Sequence, residues 1–177
     1  MTDLKEKHVV VVGGGSGIGR AIAKAAREAG AHVTISSRGR AKLDAAAAEI
    51  GAAVAPVDMT DDASVAAWAE GLGPVDHLVV SASSVARGAF ADLDVAAARA
   101  MFDAKFFGPY AVAKAALLKM REGGSITFFS GALSRRPGAG ASGLAAVNAA
   151  VEGLSRALAK ELGPKLRVNT ISPGLTR

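Results

Sequence analysis

Residues 13–20 read GGGSGIGR and follow directly on the apolar run HVVVV, residues 8–12. A glycine-rich turn between a buried strand and an amphipathic helix is an arrangement that cradles phosphates. Gly13 permits the tight turn, Gly17 lets a pyrophosphate approach the backbone, and Gly19 lets the helix sit close to the strand. The N–H groups of Ser16, Gly17, Ile18 and Gly19, at the positive helix end, are the donors such a group would meet. Glycine collects in ordinary turns too, but this strand–turn–helix setting points to a dinucleotide.

The end of the next apolar run, HVTIS (32–36), bears on which dinucleotide. A carboxylate there would hydrogen-bond a ribose hydroxyl and repel a 2′-phosphate. The chain has Ser36, Ser37 and Arg38, with Arg40 and Lys42 nearby and no acid before Asp44. Serine hydroxyls donate to phosphate, and a guanidinium grips it with paired N–H bonds. This favours NADP(H) over NAD(H); the plainer alternative is a polar loop with a solvated arginine. Asp58, in VDMTDD, has the chemistry to accept from an adenine amino group. Asp58 or Thr60 is equally suited to capping the next helix.

These residues need a scaffold, and the pattern supplies one. Near-continuous apolar runs at 8–12, 32–36, 52–58, 77–81, 125–130 and 167–172 read as strands buried on both faces. Helical segments fall at 17–29, 40–50, 63–72, 95–120 and 144–162. In the first, Ile18, Ile22, Ala25 and Ala29 form an apolar stripe toward the sheet, and Gly30 closes it. Gly163 and Pro164 close the last. Strands alternating with helices predict an α/β fold: a Rossmann-type doubly wound parallel sheet with helices on both faces. With no repeat or linker, residues 1–177 read as a single domain.

The chain resembles the short-chain dehydrogenase/reductase family along essentially its whole length. The likeness rests on GGGSGIG, VDMTDD, DHLVV, FFGPY, GGSITFFS, AAVEGLSRALAKEL and LRVNTISPG. It implies that Gly13, Ser16, Gly17, Ile18 and Gly19 line the pyrophosphate, with Ser37 and Arg38 at the 2′-phosphate. Asp58 and Met59 would meet the adenine, and Pro173 and Gly174 would flank the nicotinamide. Ser81, in the Val80-Ser81 pair that replaces two family asparagines, is placed with the cofactor residues. Helices 95–120 and 144–162 would pair subunits, so a homo-oligomer is expected. The family continues past the equivalent of Arg177 with a substrate-covering segment, a helix and a strand. The resemblance therefore implies that this C-terminal part of the fold is absent here and that the sixth strand is an exposed edge.

The family transfers hydride between nicotinamide and a carbonyl or alcohol, using a serine, a tyrosine, a lysine and an asparagine. At those positions stand Gly131, Leu144, Asn148 and Lys105. Val12 replaces the threonine before the first glycine. Tyr110 and Lys114, in YAVAK, match Y-x-x-x-K but lie on the helix before the fifth strand, which is the wrong element. Lys105 in an apolar pocket would have a lowered pKa and could serve as an acid, with Ser81, Ser83, Ser130 and Asn148 as polar neighbours. Its alternative is a structural or cofactor-contacting role. Two readings stand: an NADP(H)-dependent CH–OH/C=O oxidoreductase with an unorthodox site, or a nucleotide-binding sensor, partner subunit or scaffold without turnover. The missing relay favours the second, and the intact glycine turn favours binding in either case.

Bulk properties narrow the rest. Half of the 177 residues are hydrophobic, and 21 are glycine. The formal charge of +5 is scattered without aromatic interleaving, so no nucleic-acid partner is expected. No stretch approaches the roughly 20 apolar residues of a membrane span. The charged N-terminus runs straight into a strand and does not read as a signal peptide. The absence of cysteine excludes disulfides and thiolate metal sites, and no metal site is expected; the expected compartment is the cytoplasm. His8, His32 and His77 begin strands and read as surface residues, and Trp68 reads as packing.

Overall fold

Val9 to Val12 are almost wholly buried, and they alternate between two separate cores. Val10 and Val12 join one cluster, Val9 and Val11 the other. Such a strand must lie inside a sheet covered on both faces. The computed structural model describes residues 4–82 and 84–174, and in it this strand, β1 (His8–Val12), is central. Around it lie β2 (His32–Ser36), β3 (Ala53–Val54), β4 (Val75–Val80), β5 (Met120–Phe129) and β6 (Arg167–Ile171). All pairs are parallel, in the order β3-β2-β1-β4-β5-β6. The order reverses beside β1, and ligands bind at such a switch point, beyond the carboxyl ends of the strands.

The helices are α1 (Gly17–Glu28), α2 (Arg40–Ile50), α3 (Asp62–Glu70), α4 (Val95–Phe102), α5 (Gly108–Ala116) and α6 (Ser142–Leu162). Ala23 and Ala26 of α1 and Leu43 and Ala46 of α2 pack with Val9, Val11 and Ile35 on one face. Val65 and Trp68 of α3, Val112 of α5 and Val151 of α6 pack with Val10, Val12 and Phe128 on the other. The doubly wound expectation is met.

Four local expectations are corrected. The buried stripe of α1 is Gly19, Ala23 and Ala26, and Ala25 is exposed. The close seat of Gly19 on the preceding turn sets which way the helix faces. The third strand, Ala53–Val54, is shorter than the expected 52–58, although main-chain bonds to β2 continue past it, from the Ala55 N–H to the Ile35 carbonyl at 3.0 Å and from the Val57 N–H to the Ser37 carbonyl at 3.3 Å. Pro56, between these donors, falls on the side facing away from β2, where a proline costs the ladder no bond. The segment 95–120 is not one helix: α4 passes into a π-helical turn, Asp103–Phe107, before α5. Pro109 cannot donate to the Lys105 carbonyl four residues back, and the Gly108 N–H bonds five residues back to Asp103. His77 lies within β4, not at its start; it is half-buried and bonded to the Ser125 hydroxyl at 2.9 Å. Burial pushes its pKa below the usual histidine value. Trp68 is packing as expected, and its indole N–H donates to Ser36 Oγ at 3.0 Å.

Candidate functional site

β1 ends at Val12 and the chain turns at once. Gly13, at φ +90°, donates its N–H to the Ser36 carbonyl at 2.7 Å, tying the turn to the end of β2. A Cβ there would lie 2.5 Å from the Ala82 nitrogen, so no side chain fits. A Cβ on Gly19 would run into the Gly13 carbonyl and the Ser81 hydroxyl, so α1 starts pressed against the turn. Gly17 faces open space. Ser16 makes no side-chain cap, and first-turn N–H groups have no intrahelical acceptor.

An open cleft of about 420 Å³ follows the carboxyl ends of β1, β2 and β4. Gly13, Ser16, Gly17, Ile18, Gly19, Ser37, Arg38, Asp58, Met59 and Ser81 all line it, as do Lys42, Thr60, Ala82, Ser84 and Ala104. Arg40 does not: its guanidinium is bonded to Asp44 at 2.8 and 2.9 Å. Lys42, named in the sequence only as a neighbour, is the second basic group in the cleft. Asp58 Oδ1 accepts from the Thr60 N–H at 3.0 Å and its hydroxyl at 2.7 Å. These two bonds, with the Arg38 charge adding less, outweigh partial burial and hold the Asp58 carboxyl below the usual range. Neither Asp58 nor Thr60 caps α3; Asp61 does, accepting from the Ala63 N–H at 3.0 Å. Pro173 and Gly174 lie outside this cleft lining, after β6, where the Pro173 carbonyl accepts from Ala132 at 3.0 Å.

A second polar cluster gathers at the ends of β5 and β6. Lys105, in the π-helical turn, is only 6% exposed, and its ammonium donates to the Ser130 carbonyl at 3.3 Å and that of Phe129 at 3.5 Å. Burial lowers its pKa. Of its expected neighbours, Ser130 touches it through the main chain. Ser81 Oγ instead donates to the Val12 carbonyl at 3.1 Å, and Ser83 lies outside the described residues. Asn148 is buried, and its Oδ1 has no hydrogen-bond partner among the described residues. Gly131 lies against that carboxamide, since a Cβ would come within 2.9 Å of Asn148 Nδ2. Leu144 is buried with Met101 and Val147, so its position serves packing.

Glu152 was missed in the sequence. Its Oε1 accepts from the hydroxyls of Ser134 at 2.6 Å, Ser130 at 3.0 Å and Ser172 at 3.0 Å, while Arg135 lies 3.5 Å from Oε2. The Ser134 bond leads in lowering its pKa to about 2; the other two hydroxyls and Arg135 add to it, and burial opposes. The available signal was a carboxylate one helical turn beyond Asn148, on the buried side of α6.

Comparison with known proteins fits this geometry. A family model described as Enoyl-(Acyl carrier protein) reductase matches residues 12–177. The chain is similar to the short-chain dehydrogenase/reductase ATR9 of Stachybotrys chlorohalonatus, at 31% identity over 99% of this chain and 76% of that one. It is 36% identical to a 2-keto-3-deoxy-L-fuconate dehydrogenase of Xanthomonas campestris pv. campestris, over 98% of this chain and 59% of the relative. A crystal structure of a short chain dehydrogenase from Burkholderia cenocepacia in complex with NADP matches with a TM-score of 0.91 and 33% identity, covering 99% of this chain and 77% of that one. With the parallel sheet, its strand order and the glycine turn all in agreement, the chain belongs to the short-chain dehydrogenase/reductase family.

Proposed function

We propose that the chain binds a nicotinamide dinucleotide in the cleft between the glycine turn and Asp58, and prefers NADP(H) to NAD(H). The observation that carries this is the cleft wall after β2, where Ser37, Arg38 and Lys42 stand without a carboxylate at that strand end. The residues fit the group. Gly13 and Gly19 leave no room for side chains where the turn meets α1, and Arg38 and Lys42 supply charge for a 2′-phosphate. When bound, such a cofactor supplies or accepts hydride; binding and orientation fall to the protein. The Burkholderia relative with NADP supports the choice of cofactor.

Of the two functional readings, binding without rapid turnover has the better support. The positions of the family's serine, tyrosine and lysine hold Gly131, Leu144 and Asn148, none of which is a proton donor tuned near neutral pH. Loss of a general acid costs on the order of 10²- to 10⁴-fold, which slows hydride transfer without abolishing it. One observation favours the second reading, an oxidoreductase acting on CH–OH or C=O groups. Lys105 is a buried amine with a lowered pKa, and its neighbour Ala104 lines the cleft. A reducing compartment such as the cytoplasm suits a chain without cysteine. No helix among the described residues is long and apolar enough to cross a membrane.

The test is a titration with NADPH and NADH, followed by quenching of Trp68, whose indole N–H is bonded to the serine preceding Ser37. Tighter binding of NADPH is expected; equal affinities would remove the NADP(H) reading, and no binding of either would remove both. A carbonyl and alcohol screen with Lys105→Ala then separates the two readings. Turnover that depends on Lys105 selects the enzyme.

A further inference from the structure

Ser36, the last residue of β2, is the most deeply buried polar residue among the described residues, at 0% exposed. Alternation along β2 sends Val33 and Ile35 into one core and turns Ser36 to the opposite face. There Trp68 of α3 packs with Val10, Val12 and Val57. Ser36 Oγ accepts from the Trp68 indole N–H at 3.0 Å, and the Ser36 carbonyl accepts from the Gly13 N–H at 2.7 Å. The next hydroxyl, that of Ser37, lies against Gly15, 3.3 Å from where a Cβ would stand. Ser37 and Arg38 then line the cleft. One buried residue is thus tied by its main chain to the glycine turn and by its side chain to α3. It stands immediately before the two side chains that would grip a 2′-phosphate.

Stability does not require the Trp68–Ser36 pair. Exchanging both partners of a buried neutral hydrogen bond for apolar groups of the same shape is nearly neutral. What the bond adds to apolar packing is direction, because a donor must point at its acceptor and apolar contact is indifferent to orientation. Trp68 is only 4% exposed, so it is a fixed point for Ser36. Binding groups reach full strength only when their supports hold them to within about 0.5 Å. The pyrophosphate and 2′-phosphate of a dinucleotide hang on one ribose, so their spacing is nearly constant. We propose that Trp68, acting through Ser36, is a positioning residue for cofactor choice. Its indole N–H sets where Ser37 and Arg38 stand relative to the glycine turn, and with that the selectivity for a 2′-phosphate. NADH lacks that phosphate and meets the turn through the pyrophosphate, so its binding does not depend on the bond. This inference rests on the cofactor reading of the cleft.

The test is calorimetric titration of NADPH and NADH into wild type, Trp68→Phe, Ser36→Ala and the double variant, with thermal denaturation of the same samples. Ser64→Ala is a control on the same helix, since Ser64 Oγ accepts from the Asp58 N–H at 2.9 Å and fastens a different part of the cleft lining. In Trp68→Phe the NADPH-to-NADH preference is expected to fall about three- to tenfold, the worth of one neutral hydrogen bond, with NADH binding held. Ser36→Ala should do the same, and the double variant should fall no further than either single one. Ser64→Ala should keep the wild-type preference. A Trp68 that serves packing alone would lower the melting temperature and weaken both cofactors alike. An unchanged preference in folded Trp68→Phe therefore overturns the proposal, as do additive effects in the double variant or an equal shift in Ser64→Ala. Should Trp68→Phe fail to fold, benzothienylalanine in place of Trp68, the only tryptophan of the chain, keeps the ring size and removes the N–H, and its preference decides. A wild type that does not prefer NADPH sinks the cofactor reading and this inference with it. A wild-type preference that the variants leave unmoved sinks this inference alone.

Discussion

Glu152 shows how far single residues can be reasoned about. Three serine hydroxyls and an arginine hold its carboxyl at about 2, against an ordinary 4.5. A depressed folded pKa contributes stability that is full above the unfolded value and is lost as pH falls through the folded one. Roughly 2–3 kcal/mol of stability should therefore disappear between about pH 4.5 and pH 2. Glu152→Gln should lose a similar amount at neutral pH and show a flatter acid limb in urea unfolding. A variant with wild-type pH dependence would contradict the cluster. Gly131 offers a second case. Its φ of 179° suits any residue, so the obstacle to a serine there is the Asn148 carboxamide alone. Gly131→Ser should cost about 1–2 kcal/mol, and adding Asn148→Ala should recover part of it; purely additive effects would contradict the contact. The cofactor residues were legible because the glycine spacing and strand ends are local signals. The Glu152 cluster was not, because Ser130 and Ser134 precede Glu152 by 22 and 18 residues and Ser172 follows it by 20, so they meet only when β5, β6 and α6 pack together.

At the scale of elements, most of the strands and helices were legible from apolar runs and helical periods. The clearest departure comes from a single residue that alters hydrogen bonding. Pro109 turns the expected helix at 95–120 into α4, a π-helical turn and α5. That proline is visible in the sequence, yet its effect depends on which carbonyl it faces. That π-helical turn carries Lys105, so the least legible element holds the least ordinary residue. The junction of β1 and α1 makes its own prediction. Because a Cβ on Gly19 would meet the Gly13 carbonyl and Ser81 Oγ, Gly19→Ala should push α1 off the turn. The expected loss is about 1–3 kcal/mol of stability, with dinucleotide affinity falling alongside. Unchanged melting and unchanged NADPH binding would contradict the close seat.

For the whole molecule, alternation of Val9 to Val12 between two cores already implied a sheet covered on both faces, and the strand order followed the family pattern. The resemblance further predicts an assembly. Phe107, Tyr110 and Leu118 are 56%, 44% and 95% exposed on or beside α5, an apolar set costly to leave in water. Sedimentation should show a homo-oligomer, shifted toward monomer by Tyr110→Glu with Leu118→Glu; a monomeric wild type would contradict this. Among the described residues β6 pairs only with β5, at the edge of the sheet, and Ile171 on it is 46% exposed.

Cofactor choice is where all three scales meet, and it is tested most directly by dissociation constants for NADPH and NADH, measured side by side on wild type and Arg38→Ala. The account predicts that wild type binds NADPH more tightly. Arg38→Ala should weaken NADPH by about 10- to 100-fold, the worth of a charge-assisted hydrogen bond, and leave NADH nearly unchanged. A wild type that prefers NADH, or an Arg38→Ala variant that weakens both cofactors equally, would contradict it.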